Sequence, residues 1–553
     1  MKNSKKLLAL LLVLVMVLGL FAGCKTGGPK ETEGTGQTQG GSDPTQPGSD
    51  DGPKFGGHLN VRIDSQPNSL DPLKMTGVWR YVWTTSVYEP ILTRDVDNNI
   101  CPSVCTHELS DDNLTLKLKI REGASFSTGE AVELEDVKAS IQRSVTLYSG
   151  TKNNVGAYLK DMVIEGDTLI VTFTEYHEMI MNYMAGYQTW MAVMPKEICE
   201  KYPDTAGFTA IEDAIGTGPY KITDFVPDVS VSMVKRDDYV PVPEGHTGAA
   251  APKMAYMDTV SFIYNSDSGS ATTGLLAGDY DMIDDVIREM METAKKEGIV
   301  ESVLPSNIGD ALYFNTVGSN NICSKYTDLR KAVIAAIDFQ AYLDVVTDGQ
   351  AVTGGCPVLG DKYYTDLFTT VDYYGAQDLD AAARYLAAAK EAGYNDEPVQ
   401  VVLSNGYEDH AVLLKAYMEA ASIPVQVTLL EHNAATEFQN NLENNWDIIF
   451  QWPTYTTTPG TMPVAFTMTR YGNSPRKDAL VGLLDTTPVS DPKYDEYWAE
   501  LAQIIVDDCS SVHMGTQPWR WYHPEDLHLG NDEGIEKFTY NAWWENPADH
   551  PAK

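Results

Sequence analysis

Residues 111–143 read DDNLTLKLKIREGASFSTGEAVELEDVKASIQR. Leu114, Leu116, Leu118 and Ile120 alternate with Thr115, Lys117 and Lys119, the period-two pattern of a strand with one buried face. Arg121-Glu122-Gly123 ends that pattern, and Phe126 precedes a second turn at Ser127-Thr128-Gly129. Val137, Ile141 and Val145 then recur at helical spacing, which predicts a helix opening near Glu135-Asp136 with acids at its positive end. A strand, a glycine-punctuated turn and an acid-led helix thus follow one another in a single short run.

Working outward, other short phrases stand before and after it. Leu59, Val61 and Ile63 alternate as a first strand, and Ser69-Leu70-Asp71-Pro72 follows. Val87 to Leu92 reads VYEPIL, and Gly216 to Tyr220 reads GTGPY. Pro219 after the second glycine and Lys221 at the third-glycine position exclude a nucleotide loop, so GTGPY is expected to be a tight turn into the next strand. Gly166-Asp167 between two apolar runs suits a two-residue hairpin turn. Asp328 to Val346 predicts one helix, with Leu329, Val333, Ile334 and Ile337 on a stripe. Val399–Leu403, His410–Ala421, Val425–Leu430 and Ile448–Phe450 read as strand, helix, strand and, after another helical segment, strand, the alternation of an α/β sheet layer.

The central run closely resembles the signature of the solute-binding proteins that serve peptide and nickel ABC importers. Its marks are an alternating strand ending in a basic residue, Phe-x-x-Gly at Phe126–Gly129, and Asp136-Val137 opening a helix. The phrases at Ser69, Val87 and Gly216, together with Leu275–Asp281 and Trp446–Trp452, resemble the same family in the same order. The resemblance extends from about residue 56 to 550. It implies an α/β, two-lobe periplasmic-binding-protein-like fold (type II, large peptide-binding cluster) with two crossings and an interlobe ligand cleft. Lobe I is expected at 56–262, with an extra subdomain at about 88–195. Lobe II is expected at 263–515, and residues 516–553 return to lobe I.

Bulk properties agree with such a body. The chain has 553 residues, about twice the size at which single cores stop growing, and 43% hydrophobic and 10% aromatic content. Its formal charge is −38, and −41 without the first 23 residues, which hold three lysines and no acid. That field repels phosphate backbones and anionic lipid, so nucleic acid is not an expected partner.

Lys2, Lys5 and Lys6 precede an apolar run from Leu7 to Phe21, which ends in Ala22-Gly23-Cys24. The run is short for a membrane span and ends in small residues, as an export signal does. Residues 1–23 are read as a signal peptide, and Cys24 resembles the acylated residue of a bacterial lipoprotein box, although Phe21 stands where leucine is usual. Residues 24–55 are polar, glycine-rich and unable to build a core, a tether behind the lipid anchor. The expected location is the extracytoplasmic face of the cell membrane, with permease subunits of an ABC importer as partners.

An enzyme is not expected. No His-Glu-x-x-His occurs, since Met179-Ile180-Met181 follows His177-Glu178, and no Gly-x-Ser-x-Gly elbow is present. A secreted hydrolase with two convergent carboxylates is the competing class. No cofactor or metal is expected: Cys101-x3-Cys105 beside His107 lacks a second zinc-like pair. These two cysteines are left as a short disulfide or two thiols, and Cys323 with Cys356 as another candidate pair. His177, His410, His432, His513 and His523 would be the candidate metal ligands of a nickel-binding branch, but they are scattered along the chain.

The resemblance puts Trp452 at the ligand pocket. Peptide-binding members carry an aspartate shortly after this tryptophan, whereas this chain reads Trp452-Pro453-Thr454-Tyr455-Thr456-Thr457-Thr458-Pro459 without an acid. A buried ammonium needs a counter-charge, so either another acid supplies it or the solute lacks an amino terminus. Oligopeptide is the expected solute, with an oligosaccharide or other non-peptide solute as the alternative. Candidate ligand-binding residues are Trp452, Thr454, Tyr455, Trp79, Trp190, Arg470, Trp519 and Arg520.

Overall fold

A computed structural model describes residues 52–551 except 65–66, 75–78, 98, 187–190, 204–206, 305–308, 320, 348, 350, 354–370, 452–474, 489–490, 517–518 and 531–538. Strand β1 (His58–Ile63) is followed by helix α1 (Trp79–Val87). Leu59, Val61 and Ile63 are buried as their alternation predicts, and they enter a core that also takes Trp83 and Tyr88.

The quoted run folds as read. Strands β2 (Cys105–Leu109) and β3 (Thr115–Ile120) pair antiparallel. Leu116 and Leu118 are buried, while Lys117 and Lys119 reach Glu108 and Asp167 at 3.0 and 2.9 Å on the wet face. Helix α2 (Leu134–Leu147) begins where the acids are. The Asp136 carboxylate accepts the N–H groups of Glu133 and Lys196, both at 2.8 Å. It therefore satisfies a donor at the helix start and also ties a distant loop to it. Strands β4 (Leu159–Glu165) and β5 (Thr168–Phe173) form the expected hairpin, with Glu165 opposite Thr168. Gly166 takes φ +62° at the first turn position, a conformation that favours glycine. With helix α3 (Glu178–Met184), these elements close a separate small core from Ile91 to Val193 over the sheet β2-β3-β5-β4.

The chain then returns to the first sheet through β6 (Tyr220–Val226), β7 (Ser230–Lys235) and β8 (Thr259–Tyr264), in the order β1-β8-β7-β6. The GTGPY phrase leads into β6 as a close approach to the end of α1. A Cβ on Gly216 would stand 2.0 Å from the Val87 carbonyl oxygen, and one on Gly218 2.5 Å from that of Ser86.

Strand β9 (Ile299–Leu304) still belongs with this part. Met282, Leu304 and Trp521 share the core of Leu59, and Tyr522 packs with Ala271, Leu275 and Ile283. The passage into the second core therefore comes after Leu304, some forty residues beyond the expected 262/263 boundary. Texture changes near 263 because a sheet ends there, but the apolar side chains of 271–304 fold back onto the first lobe.

The second lobe holds β10 (Gly309–Phe314), α4 (Thr327–Ala335), α5 (Phe339–Val346), β11 (Val352–Thr353), α6 (Leu379–Glu391), β12 (Val399–Ser404), α7 (Glu408–Ala420), β13 (Val425–Leu430) and β14 (Ile448–Gln451). It continues through α8 (Pro475–Thr486), α9 (Pro492–Asp508) and β15 (Ser511–Thr516). Its sheet runs β11-β15-β10-β14-β12-β13, with parallel β12–β13 and β12–β14 pairs and antiparallel β10 pairs. Every residue of β10 is buried: Leu312 and Phe314 enter the large core, while Ala311 and Tyr313 enter a second cluster with Trp446. Both sheet faces are therefore covered, as an α/β layer requires. The single helix expected over 328–346 is two. Asp338 accepts the Ala341 N–H at 2.9 Å and caps a new helix, so a capping side chain interrupts an apolar stripe that runs straight through.

Candidate functional site

The two lobes are joined by two adjacent passages. Strand β9 pairs antiparallel with β16 (Trp519–Pro524), putting Leu304 opposite Trp519. Beyond the passages, β10 pairs with β15, putting Gly309 opposite Thr516. The same two chain segments are thus partners on both sides, with residues 305–308 and 517–518 between. Strands paired on both sides of two chain crossings are a frame in which a hinge can form. On the first-lobe side the pair is stiffened by polar contacts: Arg520 is ion-paired with Glu301, and Tyr522 donates to the same carboxylate at 3.0 Å.

The lobes also touch across the gap. Asp485, near the end of α8, lies 3.9 Å from His177 Nε2 at the start of α3. His177 stacks on Tyr158 at 4.7 Å. Glu178 next to it accepts from Tyr176, and Arg94, from the strand Leu92–Arg94, stabilises its charge. Burial pushes the Asp485 carboxyl up to about 6, and the negative Glu178 adds to the rise. Burial also raises Glu178 against the opposing pull of Tyr176 and Arg94, and lowers His177. The desolvation of three titratable groups, drawn from both lobes, marks this junction as chemically distinct from the hinge.

Of the residues expected to line the pocket, Trp452, Thr454, Tyr455, Arg470 and Trp190 lie outside the described residues, as does Cys24. Trp79 opens α1 and Trp519 opens β16; the description of these two stops at the backbone. Arg520 is described, and its guanidinium is committed to Glu301 beside the hinge. The strand leading to Trp452 is β14, beside the central strand β10. Asp447 before it is structural: it accepts from Cys323 N–H at 2.9 Å and Gln400 N–H at 2.8 Å. Sequence reading did not name Asp485, and it singled out His177 only among five scattered histidines considered as metal ligands. Asp485 is one of 78 acids, and no local spacing connects it with His177.

Cys101 and Cys105 are unpaired, buried thiols, as is Cys323, whose candidate partner Cys356 lies outside the described residues. Burial pushes the Cys105 thiol up to about 12. Among the described residues there is no group of three or more His, Cys, Asp or Glu arranged to hold a metal. His410 faces Tyr342 at 2.8 Å and His523 faces Ser302 at 2.8 Å, and His432 is described only in its backbone. No described helix is long and apolar enough to cross a membrane.

A sequence profile described as bacterial extracellular solute-binding proteins, family 5 middle, matches residues 99–475. The periplasmic murein peptide-binding protein MppA of Escherichia coli (strain K12) is 24% identical over 442 residues, covering 75% of this chain and 78% of that protein. Among solved structures, the ABC transporter substrate-binding protein CtaP from Listeria monocytogenes matches with TM-score 0.74 at 19% identity, over 89% of this chain and 100% of that one. The oligopeptide-binding protein AppA from Bacillus subtilis, in complex with a nonapeptide, matches with TM-score 0.66 at 20% identity, over the same shares. The solved structures show a common fold.

Proposed function

We propose that this chain, which belongs to the family-5 bacterial extracellular solute-binding proteins, captures an oligopeptide or related small solute between its lobes for delivery to an ABC permease. The observation that carries the reading is the pair of adjacent passages, Leu304 opposite Trp519 and Gly309 opposite Thr516, with lobe contact at His177–Asp485. Such a body closes on what it binds, and contacts made only in the closed state shift its equilibrium. The printed names of relatives support the peptide class: a murein peptide binder and an oligopeptide binder holding a nonapeptide. In this reading Trp452, Thr454, Tyr455, Trp79, Trp190, Arg470, Trp519 and Arg520 border the cleft. The protein binds reversibly and catalyses nothing, and acylated Cys24 holds it at the membrane.

The test is thermal unfolding after a cycle of unfolding and refolding that strips bound solute. The panel is short peptides, oligosaccharides and nickel complexes. A ligand at about 100 times its dissociation constant stabilises by about 2.7 kcal/mol. A shift with peptides alone supports the proposal; a shift with sugars alone replaces it with the oligosaccharide reading and makes Thr454–Thr458 the determinant. Cys24→Ser should release the protein from the membrane fraction, and retention there would overturn the anchor.

A further inference from the structure

The lobe junction at Asp485 has a surplus of acceptors. From the first lobe it is faced by Tyr158, Glu175, Tyr176, His177 and Glu178, with Arg94 behind Glu178. From the second lobe come Asp485 on α8 and Tyr494 on α9. Glu178 has Tyr176 and the field of Arg94. Among the described residues Asp485 has His177 alone as an ion-pair partner, at a separation too long for a hydrogen bond. Its Oδ1 is buried with no hydrogen-bond partner, and so is His177 Nδ1. The His177 side chain is itself only 10% exposed.

A neutral imidazole has one N–H and one bare nitrogen, so it cannot satisfy both Asp485 oxygens. Protonating it would add a second donor, but burial opposes that charge. Closing the lobes at neutral pH therefore buries a carboxylate beside a second carboxylate without a cation of its own, an arrangement that opposes closure. An ammonium or guanidinium answers this need, because each carries several donors, a positive charge and no acceptor.

We propose that Asp485, with His177 opposite it, is the subsite that receives a positively charged group of the solute and selects cationic solutes over neutral isosteres. This rests on the solute-capture reading above and adds a charge requirement to it.

Two measurements on the full chain test it. In calorimetry, the probes are tetra-alanine with a free or acetylated amino terminus, and a tetrapeptide carrying lysine or acetyl-lysine. The wild type should prefer the charged member of at least one pair by about tenfold. Asp485→Asn should abolish that preference, while Asp478→Asn, an exposed acid two turns earlier in the same helix, should keep it. An undiminished preference in Asp485→Asn, or no preference in the wild type, overturns the proposal. The second measurement needs no solute: hydrogen exchange of the α3 and α8 amides in the ligand-free protein. Asp485→Asn removes the charge that opposes closure, so these amides should exchange more slowly than in the wild type, and unchanged exchange overturns the subsite. If no peptide binds at any concentration but exchange slows as expected, the peptide reading fails while the subsite stands.

Discussion

The contact that ties the opening loop to the subdomain offers a sharp test of the energetics. Asp71 and Arg143 are joined by two parallel bonds of 3.1 and 2.6 Å, and the two side chains are 0% and 2% exposed. Arg143 spends its third donor on the Tyr202 carbonyl at 2.9 Å, and Asp71 also accepts the Leu73 N–H at 3.0 Å. Arg143→Met leaves the carboxylate buried with only one donor. Removing one partner of a buried pair costs about 3–5 kcal/mol, and the orphaned Tyr202 carbonyl adds about 1 kcal/mol. Replacing both charges, as Asp71→Leu with Arg143→Met, removes the uncompensated charge and should recover at least half of that loss. The assay is urea unfolding followed by tryptophan fluorescence, because Trp83 and Trp544 report the first core and Trp446 and Trp498 the second lobe. The single variant should move the first-lobe transition by about 1 M urea or more. A single-variant loss below about 1 kcal/mol, or a double variant as unstable as the single one, would refute the reasoning.

Four further outcomes follow from local surroundings. Gly216→Ala should lower the melting temperature by several degrees because its Cβ meets the Val87 carbonyl. Gly482→Ala, in α8 with nothing within 4 Å, should be neutral or stabilise by up to about 1 kcal/mol. Burial lowers His410 to about 4, so the unfolded chain takes up a proton below pH 6.5 that the folded one refuses. The stability tied to His410 is complete above pH 6.5 and falls by up to about 3 kcal/mol as pH drops to 4. Urea midpoints at pH 7 and 4.5 should show that slope, and His410→Gln should flatten it. The buried thiols of Cys101, Cys105, Cys199, Cys323 and Cys509 should resist a thiol reagent until the protein unfolds; rapid labelling of any of them in the native state contradicts their burial.

What could be read in advance follows the range of the forces involved. Leu116 and Leu118 face inward and α2 opens at its acids because strand period, helix period and capping are decided within a few residues. The pairing of Asp71 with Arg143 was not legible, although each stood in a phrase already singled out, because no spacing rule connects positions 72 apart. Asp338 did carry a readable signal, a capping residue in a helical run, but the stripe from Leu329 to Ile337 outweighed it. The boundary near 263 went astray for another reason: 271–304 is an apolar segment, and apolarity does not say which of two cores it joins. The candidate site sits at the far end of this scale. Asp485 and His177 acquire meaning only when two lobes meet, and neither has a local pattern.

The junction and the hinge also divide the energetic work. Paired strands on both sides of the passages hold the lobes in register, and Glu301 with Arg520 and Tyr522 braces the first-lobe side. In the solute-capture reading the crossings act as a hinge, and the preference for closure then comes from contacts formed on closing. Moving an equilibrium from 1:99 to 99:1 takes about 5.5 kcal/mol of differential binding. An empty junction that buries Asp485 beside Glu178 works against closure, holding the ligand-free lobes apart. A solute cation that neutralises it removes a penalty of at most about 3 kcal/mol, the equivalent of the rise of Asp485 to about 6, which is up to about half of the required difference from a single contact. The same acid would then reject neutral analogues and keep the empty protein open. Selectivity and gating would consequently fall together in Asp485→Asn, whereas a purely structural Asp485 would change stability and leave both intact.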